Sequence, residues 1–178
     1  MANLGLKERY DFQQWIIKDL KDKNGYIQRD NAQYNPRLAM DEELLWDFLM
    51  ETQEETMEYL LKKLSKETII TLINKEIVKG GFLFALKEGV FIENKQLRLL
   101  YRKPATSFNE KAVQQYKANR LSVIEEVVYE EGGRIDLVIF INGLALFAIE
   151  LKFNPSGQSV QDAIKQLKGR NPNNRLFR

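Results

Sequence analysis

"RIDLVIFINGLALFAIELK", residues 134–152, is the stretch whose reading decides the fold. Two apolar runs flank Asn142-Gly143, the dipeptide that most strongly signals a β-hairpin, because both residues accept the positive φ a tight turn demands. Asp136 interrupts the first run, and Glu150 and Lys152 interrupt the end of the second. A two-residue type I′ turn would pair Ile141 with Leu144 and put Asp136 and Glu150 on opposite faces. A three-residue loop, with Gly143 in the left-handed position of a G1 bulge, puts even-numbered residues on one face instead. Asp136, Glu150 and Lys152 then cluster at the end far from the turn, while Ile135, Leu137, Ile139 and Ile141 belong to a wholly apolar opposite face. The bulged hairpin is the expected form, because the alternative divides three charges between the two faces of a buried sheet.

A buried, unpaired carboxylate is costly and two adjacent ones repel, so this cluster needs cations. Lys152 supplies one positive charge. A divalent metal would balance the rest: carboxylate and carbonyl oxygens suit Mg²⁺, with Mn²⁺ as a substitute, and the carbonyl of Leu151 is a third candidate ligand beside Asp136 and Glu150. Such an ion beside a lysine suits phosphodiester hydrolysis, with Lys152 positioning or deprotonating the attacking water. The competing reading is structural: Lys152 pairs with Glu150, Asp136 caps the strand near Gly133, and nothing is catalysed.

The composition narrows the chemistry further. The chain has no cysteine and no histidine, which excludes disulfides, thiolate nucleophiles, Ser-His-Asp triads and every imidazole metal ligand. Any catalysis falls to carboxylates and lysine. With 178 residues and 44% hydrophobic content, one domain with a real core is expected. No uncharged apolar stretch is long enough to span a bilayer and the first ten residues lack a signal-peptide core, so the expectation is a cytoplasmic protein with no membrane partner. The net charge of +2 is unevenly spread: from Lys152 onward, six basic residues face Asp162 alone. A basic stretch directly after the acidic motif is what a phosphate backbone would meet, with solvated lysines as the plainer alternative.

Around the hairpin, Phe12, Trp15, Ile16 and Leu20 mark an amphipathic helix over 6–22, with Glu8 in its first turns as a candidate fourth acid. Asp41 caps a second helix, and Thr52 with Glu55 forms a capping box for a third. Asp41 to Glu58 carries eight acids and no base, read as a solvated helical face. A helix over "SKETIITLINKEIVKGG" stops at the glycines 80 and 81; "FLFAL", "VFI" and "QLRLLY" then read as short strands. A helix over "NEKAVQQYKANR" and a β-branched strand "LSVIEEVVYE" lead into the hairpin, and Ser159 caps a last helix ended by Gly169. Helices, strands and then a helix make the fold class α+β with a mixed central sheet flanked by helices.

At the hairpin the chain resembles the PD-(D/E)xK nucleases, with Asp136 as the first acid and Glu150-Leu151-Lys152 as the ExK. More narrowly, "YKANRLSVIEEVVY", "IDLVIFINGLALFAIELK", "GQSVQDAIKQLK" and "LFR" look like the N-terminal nuclease domain of the restriction subunit (HsdR) of type I restriction-modification enzymes. The likeness extends through "KERYDFQQWIIKDL", "NGYIQRDNAQYNPRLAMDEELLWDFL" and "LLYRKPA" to nearly the whole chain. It implies a restriction-endonuclease-like core and a Mg²⁺-dependent endonuclease module acting on double-stranded DNA, in complex with modification and specificity subunits. Asp136, Glu150 and Lys152 match the catalytic positions, and Glu8 the helical glutamate. Such domains commonly carry QxxxY after the ExK; here Gln166 stands in a suitable helix, but Arg170 takes the tyrosine's place. Gln166, Lys168 and Arg170 are the residues expected to meet DNA. No GxxxxGK[ST] loop is present, so ATP is expected to act only in motor domains outside this chain, which reads as a single nuclease domain of a longer subunit. A noncatalytic docking or DNA-binding domain, or a PD-(D/E)xK nuclease of another system, are the alternatives.

Overall fold

The computed structural model describes residues 2–129, 132–152 and 159–177, with side chains from Tyr10 onward. In chain order the elements are α1 (Ala2–Asn24), β1 (Ile27–Arg29), β2 (Tyr34–Asn35), β3 (Met40–Asp41), α2 (Glu42–Thr52), α3 (Glu54–Leu61), α4 (Lys66–Gly80) and α5 (Phe82–Glu88). There follow β4 (Val90–Ile92), β5 (Lys95–Leu97), α6 (Glu110–Lys117), β6 (Leu121–Val128), β7 (Arg134–Ile141), β8 (Leu144–Ile149) and α7 (Val160–Lys168). The fold is α+β, built on a mixed six-stranded sheet in the order β1-β6-β7-β8-β3-β2, with β4 and β5 as a separate antiparallel pair. The chain gathers into two compact units: one holds the residues up to Met40, Leu121–Phe140 and the chain from Leu144 onward, and the other holds Asp41–Arg120 with Ile141–Gly143. Among the described residues, no helix is long and apolar enough to cross a membrane.

The first unit carries the sheet. β1 runs parallel to β6, with Ile27 opposite Ser122, and β3 antiparallel to β8, with Met40 opposite Leu144. Two apolar clusters form on it. Ile124, Val127, Ile135, Val138 and Phe140 pack with Tyr34 and Ala39 in one; Val123, Leu137 and Leu151 pack with Ile17 of α1 in the other. Burial raises the Tyr34 hydroxyl far above its ordinary pKa. α1 forms where the sequence places it, and Ile16 and Leu20 of the expected stripe pack on the Leu137 cluster, but the stripe's two aromatics do not turn inward. Ile17 and Gln13 are buried, whereas Phe12 and Trp15 are exposed and stack on one another with centroids 6.1 Å apart. The Gln13 amide reaches inward to donate to Glu125 of β6 at 3.0 Å and so satisfies a polar group at a core position.

The second unit is mainly helical. Asp41 caps α2 by accepting from the Leu44 N–H at 3.0 Å, as its sequence position anticipates. Thr52 does not start α3. It ends α2, donating back to the Phe48 carbonyl at 2.7 Å, and the Gln53 side chain instead spans to the backbone of Arg98 at both its amide N–H and its carbonyl. "FLFAL" is not a strand but the body of α5, bracketed by Gly81 and Gly89. Its apolar run is short enough for either period, and the glycine stops at both ends favour one helical segment.

The hairpin turn also departs from expectation. Asn142 and Gly143 have φ of 50° and 79°, the signature of a two-residue type I′ turn between Ile141 and Leu144, not a G1 bulge. The reason lies within the second unit, where the turn is anchored. The buried Asn142 amide donates to the Leu99 carbonyl (2.9 Å) and to Asn119 Oδ1 (3.0 Å), and its oxygen accepts from the Arg120 N–H (2.7 Å). A Cβ on Gly143 would lie 2.2 Å from the Asp41 carbonyl oxygen. The change of face assigned to the loop occurs instead within β8. Ala145 and Ala148 pack on the Phe140 cluster, Ile149 and Leu151 on the Leu137 cluster, and Phe147 between them is exposed. The two alanines are three positions apart, so alternation slips by one between them, as at a bulge. Glu150 and Lys152 are thereby turned away from the Leu137 core.

Candidate functional site

The site grows from the end of β8, where Glu150, Leu151 and Lys152 follow the last paired residue. Leu151 points into the core beside Leu137, which fixes the backbone. Its N–H donates to Asp136 Oδ2 at 2.6 Å, so the carboxylate from β7 lies against the peptide that joins Glu150 to Lys152. Asp136 is 3% exposed.

α7 supplies the other wall. Ser159 and Asp162 form a reciprocal capping box at its start: the Ser159 N–H donates to Asp162 at 2.7 Å and the Asp162 N–H to the Ser159 hydroxyl. The Ser159 N–H foremost, and then the Ser159 hydroxyl, which donates to the same carboxylate at 2.9 Å, hold the Asp162 pKa below the ordinary value. From the other end of the helix, Gln166 and Arg170 reach the site as a pair. Lys152 donates its ammonium to Gln166 Oε1, and the Arg170 guanidinium forms an ion pair with Glu150. Gln166 lies on α7 and Arg170 just past its Gly169 cap, and from there they meet Lys152 and Glu150 respectively.

Arg170 is held on every side. It donates to the Tyr129 hydroxyl and, at 3.0 Å, to the Arg134 carbonyl; its guanidinium lies 5.0 Å from the Tyr129 ring and 5.5 Å from the Phe177 ring, which meet edge to face. A Cβ at Gly133 would overlap the Tyr129 ring, so the absence of a side chain there makes the shelf under Arg170. The ion pair is deeply enclosed, with 8% of the Arg170 side chain and 2% of the Glu150 side chain exposed.

Of the residues singled out from sequence, the structure brings together Asp136, Glu150, Leu151, Lys152, Gln166 and Arg170. Lys168 is exposed on α7. Glu8 falls on α1, but its side chain lies outside the described residues. The acidic run 41–58 takes no part: Asp41 caps α2, while Asp47 and Glu51 face Arg120 at 3.5 and 2.5 Å. Sequence reasoning missed Tyr129, Gly133 and the inward turn of Arg170. The signal available was Arg170 itself, the odd residue after Gln166.

The donors suit a hard divalent cation in kind, since two carboxylates and a carbonyl, with remaining positions left to water and phosphate, is the usual Mg²⁺ complement. No group of three or more acidic side chains converges among the described residues. The charge argument changes, however. Glu150 is paired with Arg170, while Lys152 is turned to Gln166, so part of the positive charge that a metal was invoked to provide is already supplied by the protein.

The family model described as type I restriction enzyme R protein N terminus matches residues 6–178. Comparison with curated proteins and with solved structures gives no match.

Proposed function

Because the chain belongs to the family of type I restriction enzyme R protein N termini, we propose that it is the DNA-cleaving domain of a restriction subunit, hydrolysing phosphodiester bonds with Mg²⁺. The observation that supports this most is the joining of Asp136, Glu150 and Lys152 with Gln166 of α7 at one end of the sheet. Four partners drawn from three elements converge there, on the carboxylate, carboxylate and lysine pattern that the hairpin carries.

In this reading Asp136, Glu150 and the Leu151 carbonyl hold the cation, which supplies Lewis acidity toward the phosphate. Lys152 works at the reacting phosphate, orienting the attacking water and stabilising the negative charge that grows on the phosphoryl oxygens as the new P–O bond forms and the ester bond breaks. Gln166 is a positioning residue: by accepting from Lys152 it fixes one direction of the ammonium, leaving its other N–H groups for substrate. Lys168, exposed on the same helix, meets the DNA backbone. ATP-driven translocation belongs to other parts of such a subunit, and modification and specificity subunits are its partners in a cytoplasmic complex.

One observation favours a noncatalytic reading: the site is electrically balanced by Arg170, as a structural cluster would be. A nicking assay separates the two. Supercoiled plasmid incubated with the chain and Mg²⁺ is expected to be cut by the wild type and left intact by Asp136→Ala and Lys152→Ala at unchanged circular dichroism. No cutting by the folded wild type at any Mg²⁺ concentration would favour docking.

A further inference from the structure

The Arg170–Glu150 pair asks more of the site than ligand geometry does. A guanidinium already sits on one oxygen of Glu150, within a side-chain environment almost closed to solvent. A divalent cation on the same carboxylate would face a fixed positive charge at close range with little water to screen it. Arg170 cannot simply swing into solvent at no cost, since the Tyr129 hydroxyl, the Arg134 carbonyl and two aromatic rings also hold it. It is nevertheless incompletely satisfied, because its Nε–H finds no acceptor among the described residues.

We infer that Arg170 is an internal cation that antagonises divalent-metal binding at Glu150, keeping the site weakly loaded until an anionic phosphate enters. The inference rests on the proposed metal role of Asp136 and Glu150 and adds a regulatory residue to it. A phosphate brings negative charge to the same place, answers both cations, and so couples metal retention to substrate.

Two readouts test it on the full chain. In the first, ¹⁵N-labelled wild type is titrated with Mg²⁺ while the Arg170 Nε–H signal, assigned by its absence in Arg170→Lys, and the Leu151 amide are followed together. Both signals are expected to move in step. Movement of the Leu151 amide with a stationary Arg170 signal would overturn the antagonism while sparing the metal site, and no movement of either, with inorganic phosphate present as well as without it, would overturn both. In the second, Mn²⁺ binding is measured for wild type, Arg170→Gln and Arg170→Lys. Arg170→Gln is expected to bind about tenfold tighter or more, the gain when a competing state that leaves about a tenth of molecules competent is removed. Arg170→Lys, which keeps the charge, should stay near wild type and guards against misfolding of the glutamine variant. Equal affinity in wild type and a folded Arg170→Gln would refute the inference.

Discussion

The enclosed Arg170–Glu150 pair makes a quantitative demand on stability that can be tested without metal or DNA. With 8% and 2% of the two side chains exposed, removing either partner leaves a charge in a largely enclosed place. Breaking such a pair from one side costs about 3–5 kcal/mol, consistent with an attraction of about 4 kcal/mol for unit charges 4 Å apart at an effective dielectric near 20. For a chain of this length each kcal/mol moves the melting midpoint by about 2–4 °C, so Glu150→Gln and Arg170→Gln should each melt roughly 6–20 °C below wild type in the presence of a chelator. Arg170→Gln should be the worse, because Glu150 loses its cation outright, whereas in Glu150→Gln the guanidinium keeps the Tyr129 hydroxyl and the Arg134 carbonyl. The double variant, with no charge left to strand, should recover most of the loss and melt above either single. Thermal melts of the four proteins, read as a double-mutant cycle, measure the coupling directly. Strictly additive shifts, or single variants within about 1 kcal/mol of wild type, would class the pair with solvated surface bridges and refute the enclosed-pair argument.

Three other outcomes follow. Gly143→Ala forces a Cβ to 2.2 Å from the Asp41 carbonyl oxygen at a φ of 79° and should cost about 2–4 kcal/mol in urea unfolding, whereas Gly25→Ala, with φ of 68° and no atom within 4 Å, should cost only about 1 kcal/mol. If Lys152 acts on the phosphate and Gln166 merely holds it, Lys152→Ala should lower cleavage about 10²–10⁴-fold in the plasmid assay and Gln166→Ala by clearly less, at equal stability; equal losses would make Gln166 a direct participant. The folded pKa of Asp162 lies below its ordinary value of 3.8, so the stability it lends α7 is present above that value and is lost as pH falls through the lower folded one. Asp162→Asn should therefore lower α7 stability at neutral pH, where the carboxylate's contribution is present, and flatten the acid limb of an α7 unfolding curve followed at Gly169, so that variant and wild type converge at low pH.

Much of this arrangement can be read from the residues. Asn142-Gly143, Asp41, Ser159 and the glycines at 80 and 81 carry their signals locally, and the hairpin, α2, α4 and α7 appear where those signals stand. What local pattern could not reveal depended on partners far along the chain. The type I′ turn is selected by Leu99, Asn119 and Arg120, which bury the Asn142 amide, and no property of the hairpin itself announces them. On α1, Gln13 meeting Glu125 joins Ile16, Ile17 and Leu20 on the inward side, while Phe12 and Trp15 of the expected stripe stay exposed. At the site, Asp136, Glu150 and Lys152 were legible because charges in an apolar hairpin need a reason. Arg170 was visible as an odd residue, but its inward direction follows from Tyr129, Gly133 and Phe177, which only the fold assembles.

Paramagnetic broadening by substoichiometric Mn²⁺, read from backbone amides of the wild type and of Asp136→Ala, bears most directly on whether these carboxylates hold a cation. The account predicts loss of signal centred on the Leu151 amide and its neighbours at 136, 150 and 152, abolished in the variant. Broadening that instead follows the acidic run 41–58, or that persists around Leu151 without Asp136, would contradict it.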